Sequence, residues 1–282
     1  MVRNREVITI KIKMIALDMD GTLIHSKNSI TPRVKDAVLA AESMGIKIVV
    51  STGRIVNSAR QGIELLGIET PIISCNGALI SKENKHIFKR AIPSEAFEKA
   101  AQLLVDYEDI YYRMYGENMY YSKEETESLR NFIDWNSKQK PENQVKVKIM
   151  NNPIDIVKEK EDILKIFIVQ YKEEKNRYDS LVEKLNQVSG IHSVSSMPKS
   201  VDVIHKNVNK AYALDQLARI CNIKPENIMA IGDNHNDLDM IRYAGIGVAM
   251  GNADEQVKKE ADFITKSNLE DGVAIAIEKF VL

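Results

Sequence analysis

Two short acidic loops and one lysine are the parts of this 282-residue chain whose residue types and spacing suit cation and phosphate chemistry. The first loop is Asp18-Met19-Asp20-Gly21-Thr22-Leu23. Its carboxylates lie two residues apart on a glycine–threonine turn, so one can hold a divalent cation while the other stays free. An Asp-Gly pair is equally at home in a hairpin turn, and this segment alone does not decide between the two. A calcium loop is a third reading, with oxygen ligands at positions 1, 3 and 5, glycine at 6 and glutamate at 12. Counted from Asp18, positions 6 and 12 are Leu23 and Ser29, so that reading fails. The second loop, Gly232-Asp233-Asn234-His235-Asn236-Asp237, adds two carboxylates four residues apart. Together with Asp18 they offer a hard cation three oxygen donors. Magnesium typically takes one or two carboxylates and completes its shell with phosphate oxygens and water. No cysteine or second histidine stands at ligand spacing from His235, so His235 is read as facing solvent. Lys210 opens a helical segment, where its charge and the helix N-terminus both favour an anion. Thr52 and Gly53 can give a phosphate a hydroxyl and a backbone N–H, while Asn76 and Arg54 read as turn or capping residues.

These residues act together only if a scaffold gathers them. Ile12 to Leu17, Ile46 to Val50, Pro71 to Ser74 and Asn227 to Ile231 are short apolar runs without alternation, the pattern of parallel strands buried on both faces. Helices separate them. Thr31-Pro32 is an N-cap followed by the residue best suited to the first helical position, with Val34, Ala37, Val38, Ala41 and Met44 on one face and Gly45 as the stop. Asn57 to Leu66, ending at Gly67, and Lys210 to Cys221 repeat the pattern. Each strand run leads into one of the polar loops. In a doubly wound sheet the loops at the strands' carboxyl ends line the ligand crevice, so the loops after Leu17, Val50, Ser74 and Ile231 are expected to converge.

Between residues 82 and 197 the texture becomes rich in Tyr, Lys and Glu. Strand-like pieces at His86 to Ile92, Ile110 to Tyr121, Val145 to Met150, Ile163 to Gln170 and Ile191 to Ser196 interleave with helical stretches at Ser94 to Asp106, Lys123 to Ser137 and Lys175 to Val188. The expected organisation is a doubly wound α/β core, residues 1–81 and 198–282, carrying an inserted α+β domain over residues 82–197. Tyr111, Tyr112, Tyr115, Tyr120 and Tyr121 stand at strand spacing and are expected to pack a sheet face, not to form a site. Gly245 to Gly251 lacks the strand-before, helix-after context of a dinucleotide fingerprint and reads as a strand with close backbone packing.

Thirty-nine basic against 40 acidic residues leave a net charge of −1, which advertises no nucleic-acid partner. The two cysteines, Cys75 and Cys221, are far apart in apolar segments and fit buried, inert thiols in a reducing compartment. Met1 to Lys13 lacks the apolar stretch of a signal peptide, and Thr70 to Ser81, the longest uncharged run near an apolar segment, falls well short of the roughly 18 residues a membrane helix needs. A soluble, cytoplasmic protein with no membrane partner is expected.

In order along the chain, Asp18-Met-Asp20-Gly-Thr-Leu, Ser51-Thr52-Gly53-Arg54, Ser74-Cys-Asn76-Gly77, Lys210 and Gly232-Asp233-Asn-His-Asn236-Asp237 resemble the motifs of the haloacid dehalogenase-like superfamily, and within it the Cof-type phosphatases with their large α+β cap. One departure is Ala211, where the family commonly has glycine after the lysine. The resemblance implies that Asp18 is the nucleophile forming an aspartyl-phosphate and that Asp20 protonates the leaving alcohol and then activates water. It further implies Mg2+ held by Asp18, the main-chain carbonyl of Asp20, Asp233 and Asp237, and phosphate contacts from Thr52, Gly53, Lys210 and Asn236. The dehalogenating members lack the second aspartate, so Asp20 argues for phosphate chemistry. The expected function is a magnesium-dependent phosphatase of a small phosphorylated metabolite such as a sugar phosphate. The alternatives are a sugar phosphomutase and a non-catalytic metal- and phosphate-binding regulatory protein, and the intact Asp18–Asp20 pair disfavours the last.

Overall fold

The computed structural model describes residues 11–25, 29–83, 85–170, 175–197 and 199–282. The first ten residues of the N-terminal stretch read above lie outside this range. The strands are β1 (Met14–Leu17), β2 (Lys47–Ser51), β3 (Ile72–Ser74), β4 (Leu79–Lys82), β5 (Lys85–Lys89), β6 (Tyr111–Tyr115), β7 (Met119–Ser122), β8 (Lys146–Ile149), β9 (Lys165–Val169), β10 (Ile191–Met197), β11 (Ser200–His205), β12 (Ile228–Gly232), β13 (Ile246–Ala249) and β14 (Phe263–Ile264). They form an eight-stranded sheet in the order β14-β13-β12-β1-β2-β3-β4-β5 and a six-stranded sheet in the order β10-β11-β9-β6-β7-β8.

The larger sheet is parallel from β14 to β3. Its apolar runs serve both faces. Ile15 and Leu17 of β1 join Met229 and Ile231 of β12 in one core cluster, while Met14 and Ala16 join Ile228 and Ala230 in another. This double burial explains why these strands lack alternation. From β1 the chain winds outward through β2 and β3 on one side and, later, through β12, β13 and β14 on the other. The loops after β1 and β12 therefore meet at a topological switch point.

The helix Pro32–Ser43 starts as the sequence indicates, Thr31 Oγ1 accepting from Val34 N at 3.3 Å. Gly45 takes a left-handed φ of 83° just past its end. Met44, expected on the buried face, is exposed in the C-cap because the helix stops one residue before it. The second helix spans Val56–Ile63, shorter than Asn57 to Leu66, and the third spans Lys210–Ile220 with Cys221 as its C-cap. Cys75 is buried and Cys221 only partly so, a correction to the reading of two buried thiols. The 245–251 segment contains β13, and a Cβ at Gly247 would collide with the Ile241 backbone, the close packing read there.

In the smaller sheet alternation matters. Tyr112 and Met114 of β6, Tyr121 of β7, Ile166 and Ile168 of β9 and Val203 of β11 face an apolar layer supplied by the helices Ser94–Val105, Pro153–Lys158 and Lys175–Asn186. Paired rows on the opposite face, Arg113 with Phe167 and Tyr115 with Lys165 and Tyr120, look toward the larger sheet.

Several sequence expectations change. Ile110 to Tyr121 is not one strand but the hairpin β6–β7, because Gly116-Glu-Asn turns the chain and Gly116 N bonds Met119 O at 2.9 Å. The helix expected from Lys123 begins at Glu127, capped by Thr126. Two strands also sit in the other sheet from the one that the division at residues 82 and 197 assigns. The β5 strand hairpins onto β4 and becomes the lysine-bearing edge of the larger sheet. The β11 strand pairs with β10 and β9 in the smaller sheet, Val201 and Val203 turned one way and Asp202 the other.

Candidate active site

Parallel pairing of Leu17 with Ile231 brings the two acidic loops side by side, and Asp18 N donates to Ile231 O at 3.0 Å. Turn geometry then aims the carboxylates. Gly21 has a φ of 89°, and a Cβ there would run into the Asp233 carboxylate, so this loop closes only on glycine. Thr22 Oγ1 donates to Asp233 Oδ1 at 2.7 Å. Asp237 is fully buried; its Oδ2 accepts from the backbone N–H groups of Asp233 and Asn234 at 3.1 and 3.0 Å. Oxygens of Asp18, Asp233 and Asp237 all lie within 4.8 Å of one another.

Lys210, also fully buried, stands against this cluster. Its Nζ donates to Asp18 Oδ1 at 2.5 Å and to Asp237 Oδ1 at 2.6 Å. The helix it opens is fixed by Asn209, whose side chain accepts from Tyr212 N. Gly77, with a φ of 102°, lets the loop after β3 approach the Asn209 carbonyl too closely for any Cβ. Electrostatics follow from crowding. Burial, then Asp237, raise the Asp18 carboxyl well above the usual carboxylate range despite Lys210. The same two causes bring Asp233 up to about 6. For Lys210, burial alone would lower the ammonium, but Asp18 and Asp237 more than reverse this and keep it charged. Three close carboxylates offset by one ammonium, with no nitrogen or sulfur donor among them, form a set that suits a hard divalent cation such as magnesium.

The remaining loops arrive from β2 and β3. Thr52 Oγ1 accepts from Arg54 N at 3.1 Å, and Thr52 O accepts from Asn76 N at 3.0 Å. Arg54 pairs with both oxygens of the exposed Asp20, through Nε at 2.8 Å and through Nη2. Burial pulls the guanidinium down, and the Asp20 bonds and charge bring it above its ordinary value. Asn76, in left-handed backbone, donates to Asp202 Oδ2 at 2.8 Å and accepts from Asn236 Nδ2 at 3.0 Å. Asn76 and Arg54 therefore do more than shape turns: one links Asn236 to Asp202 and the other holds Asp20.

A cavity of about 590 Å³ brings the sequence-derived residues Asp18, Asp20, Thr52, Gly53 and Asn236 together. Asp233, Asp237 and Lys210 adjoin it through the carboxylate cluster. Its other wall comes from the smaller sheet. Arg113, Tyr115, Tyr120, Lys165 and Phe167 line it, so Tyr115 and Tyr120 pack a sheet face as expected and also border the crevice. Lys165, 5% exposed, bonds Gly53 O at 2.7 Å and pairs with the fully buried Asp202 at 2.9 Å. A charged residue in each otherwise apolar strand, Lys165 in Ile163-Leu-Lys-Ile-Phe-Ile and Asp202 in Val-Asp-Val-Ile, was the available signal. His235 is half-buried and 3.6 Å from Asp254, apart from the carboxylate cluster.

Among known proteins, the profile of the haloacid dehalogenase-like hydrolases matches residues 15–277. The chain is 32% identical over 275 residues to the 5-amino-6-(5-phospho-D-ribitylamino)uracil phosphatase YcsE of Bacillus subtilis, covering 97% of each chain. It is 32% identical over 277 residues to the phosphoglycolate phosphatase of Methanobrevibacter smithii, covering 96% of this chain and 99% of that one. A solved haloacid dehalogenase-like hydrolase from B. subtilis superposes with a TM-score of 0.83 at 30% identity, over 96% of this chain and 100% of the other. Among the described residues no helix is long and apolar enough to cross a membrane. The acidic cluster, the sheet order and these similarities agree: the chain belongs to the haloacid dehalogenase-like hydrolases, in their Cof-type phosphatase branch, and is a hydrolase of the phosphoryl-transfer kind.

Proposed function

We infer that this protein is a magnesium-dependent phosphatase hydrolysing the phosphate monoester of a small metabolite through an aspartyl-phosphate on Asp18. The observation that carries this reading is the convergence of three carboxylates and a buried lysine beside a cavity that also holds Asp20, Thr52, Gly53 and Asn236. Lys210 holds Asp18 Oδ1, which leaves Oδ2 to form the bond to phosphorus as the ester P–O bond breaks. Thr52, Gly53, Lys210 and Asn236 bind the phosphoryl oxygens. Magnesium held by Asp18, the Asp20 carbonyl, Asp233 and, directly or through water, Asp237 supplies positive charge against the repulsion between nucleophile and phosphate.

Asp20 gives a proton to the leaving oxygen, then takes one from the water whose oxygen attacks phosphorus and frees Asp18. Arg54 occupies both Asp20 oxygens, so one of those bonds must open before the proton moves. The two curated relatives carry names for phosphate esters with different leaving groups, which supports a small-metabolite substrate and leaves its identity to the cavity wall. The sheets support a core and a cap divided near residues 90 and 206, the cap closing over the crevice to exclude water. The free thiols suit a reducing cytoplasm. A phosphate-release screen over sugar, nucleotide and vitamin monophosphates, with and without magnesium, tests the reading. Magnesium-dependent release that falls at least about 10³-fold in Asp18→Asn is expected. Release unaffected by that substitution, or none from any ester, overturns it.

A further inference from the structure

Among the described residues four cations border the crevice, and three are matched by carboxylates. Lys210 has Asp18 and Asp237, Arg54 has Asp20, and Lys165 has Asp202. The fourth, Arg113 on β6, has no carboxylate partner among the described residues, although it lines the same cavity. It is held by neutral groups. Its Nε and Nη2 both donate to Tyr111 Oη, at 3.3 and 3.1 Å, and Tyr111 Oη in turn meets Ser122 Oγ at 2.7 Å. The Tyr120 ring lies 5.3 Å from the guanidinium carbon and the Tyr111 ring 5.8 Å. Ring faces and a hydroxyl steady a guanidinium while leaving most of its five N–H donors unspent. Isolated charge facing a cavity is costly unless something there compensates it.

We propose that Arg113 binds a second oxyanion on the leaving group, so that the preferred substrate is a small phosphate ester bearing a carboxylate or a second phosphate. This rests on the phosphatase reading and narrows its substrate. Register sets the distance between the two charges. Lys165 reaches Gly53, at the phosphate end, and pairs across the strands with Tyr115. Arg113 pairs with Phe167, one side-chain repeat farther along the same face. Two residues of strand span about 7 Å. At about 1.5 Å per bond, with zigzag shortening, that spacing corresponds to roughly five bonds between the anionic ends. Tyr115, Tyr120 and Phe167 line the wall beside this path and favour an uncharged middle.

The test uses matched pairs that differ in the second charge: 3-phosphoglycerate against glycerol 3-phosphate, and fructose 1,6-bisphosphate against fructose 6-phosphate. Wild-type protein with magnesium is expected to favour the doubly anionic member of at least one pair by about 10- to 100-fold in kcat/KM, the worth of a charge-assisted bidentate contact. The pair that shows the preference tells carboxylate from phosphate. Arg113→Met is expected to bring the ratio within about threefold of unity, with Arg113→Lys between; Arg113→Gln replaces the methionine variant if melting shows it misfolded. Binding of 3-phosphonopropionate against propylphosphonate to the Asp18→Asn protein, by calorimetry, gives a readout independent of turnover. Tighter, Arg113-dependent binding of the carboxylate compound without any turnover keeps the anion site and refutes the phosphatase reading. Turnover of the singly anionic esters with no preference in either pair or in binding, or a preference that survives loss of Arg113, overturns the proposal and leaves that reading standing.

Discussion

Replacing Lys165 by methionine removes a charge from a place where its partner cannot reach water. Lys165 and Asp202 are 5% and 0% exposed at the side chain, with Nζ and Oδ1 2.9 Å apart. Methionine keeps most of the stem volume, so the loss is mainly electrostatic. Stranding one member of a buried pair costs about 3–5 kcal/mol, and losing the bond to Gly53 O adds about 1 kcal/mol. Burial pulls the Lys165 ammonium down, and Asp202 raises it above its ordinary value. A raised lysine contributes stability that is complete below the unfolded value and lost only as pH rises through the folded one, so the penalty should be constant across neutral pH. Urea unfolding followed by the single tryptophan, Trp135, measures it. Adding Asp202→Asn to Lys165→Met removes the stranded charge and should recover all but about 1–2 kcal/mol. Because Asp202 also anchors Asn76, and through it Asn236, kcat/KM should fall at least about tenfold in Lys165→Met. A loss below about 1 kcal/mol, or a double variant no better than the single one, would show that Lys165 does not compensate a buried Asp202 charge.

Gly21→Ala should push the Asp233 carboxylate aside and weaken magnesium binding at least about tenfold, measured by calorimetry, while left-handed strain at residue 21 costs only about 1–2 kcal/mol of stability. Unchanged affinity would show that Asp233 does not bind the ion. Metal-free protein should lose stability as pH rises from the usual carboxylate range through about 6, because burial and Asp237 make the folded state hold the Asp233 proton more tightly than the unfolded chain does. Magnesium competes with that proton, so its thermal stabilisation should be larger near pH 7.5 than near pH 5. Equal shifts in melting temperature at both pH values contradict this.

The sequence exposed what was local. Runs such as Met14–Leu17 and Ile228–Gly232 are buried on both faces, so they stand out as uninterrupted apolar stretches, and the polar residues that follow mark the crevice directly. Asp18, Thr52 and Asp233 stand out in this way. The smaller sheet was harder because its meaning lies in register. Tyr111 and Tyr112 are neighbours in sequence yet face opposite sides, and only pairing with β9 decides which side meets the crevice. Asp202 lies in a strand that follows a hairpin at Lys199, so its place beside Lys165 depends on a contact 37 positions away (202 − 165). Arg54 and Asn76 were seen, but their partners Asp20, Asp202 and Asn236 are set by tertiary approach.

Every other role assigned around the crevice depends on attack of the Asp18 carboxylate on phosphorus. Quenching the enzyme during turnover of an accepted ester, reducing with borohydride and sequencing the peptides by mass spectrometry tests it directly, since reduction of an aspartyl-phosphate leaves homoserine. Homoserine at position 18, dependent on magnesium and substrate, is the expected result. Steady phosphate release with residue 18 unmodified, or with the label on another residue, contradicts the mechanism.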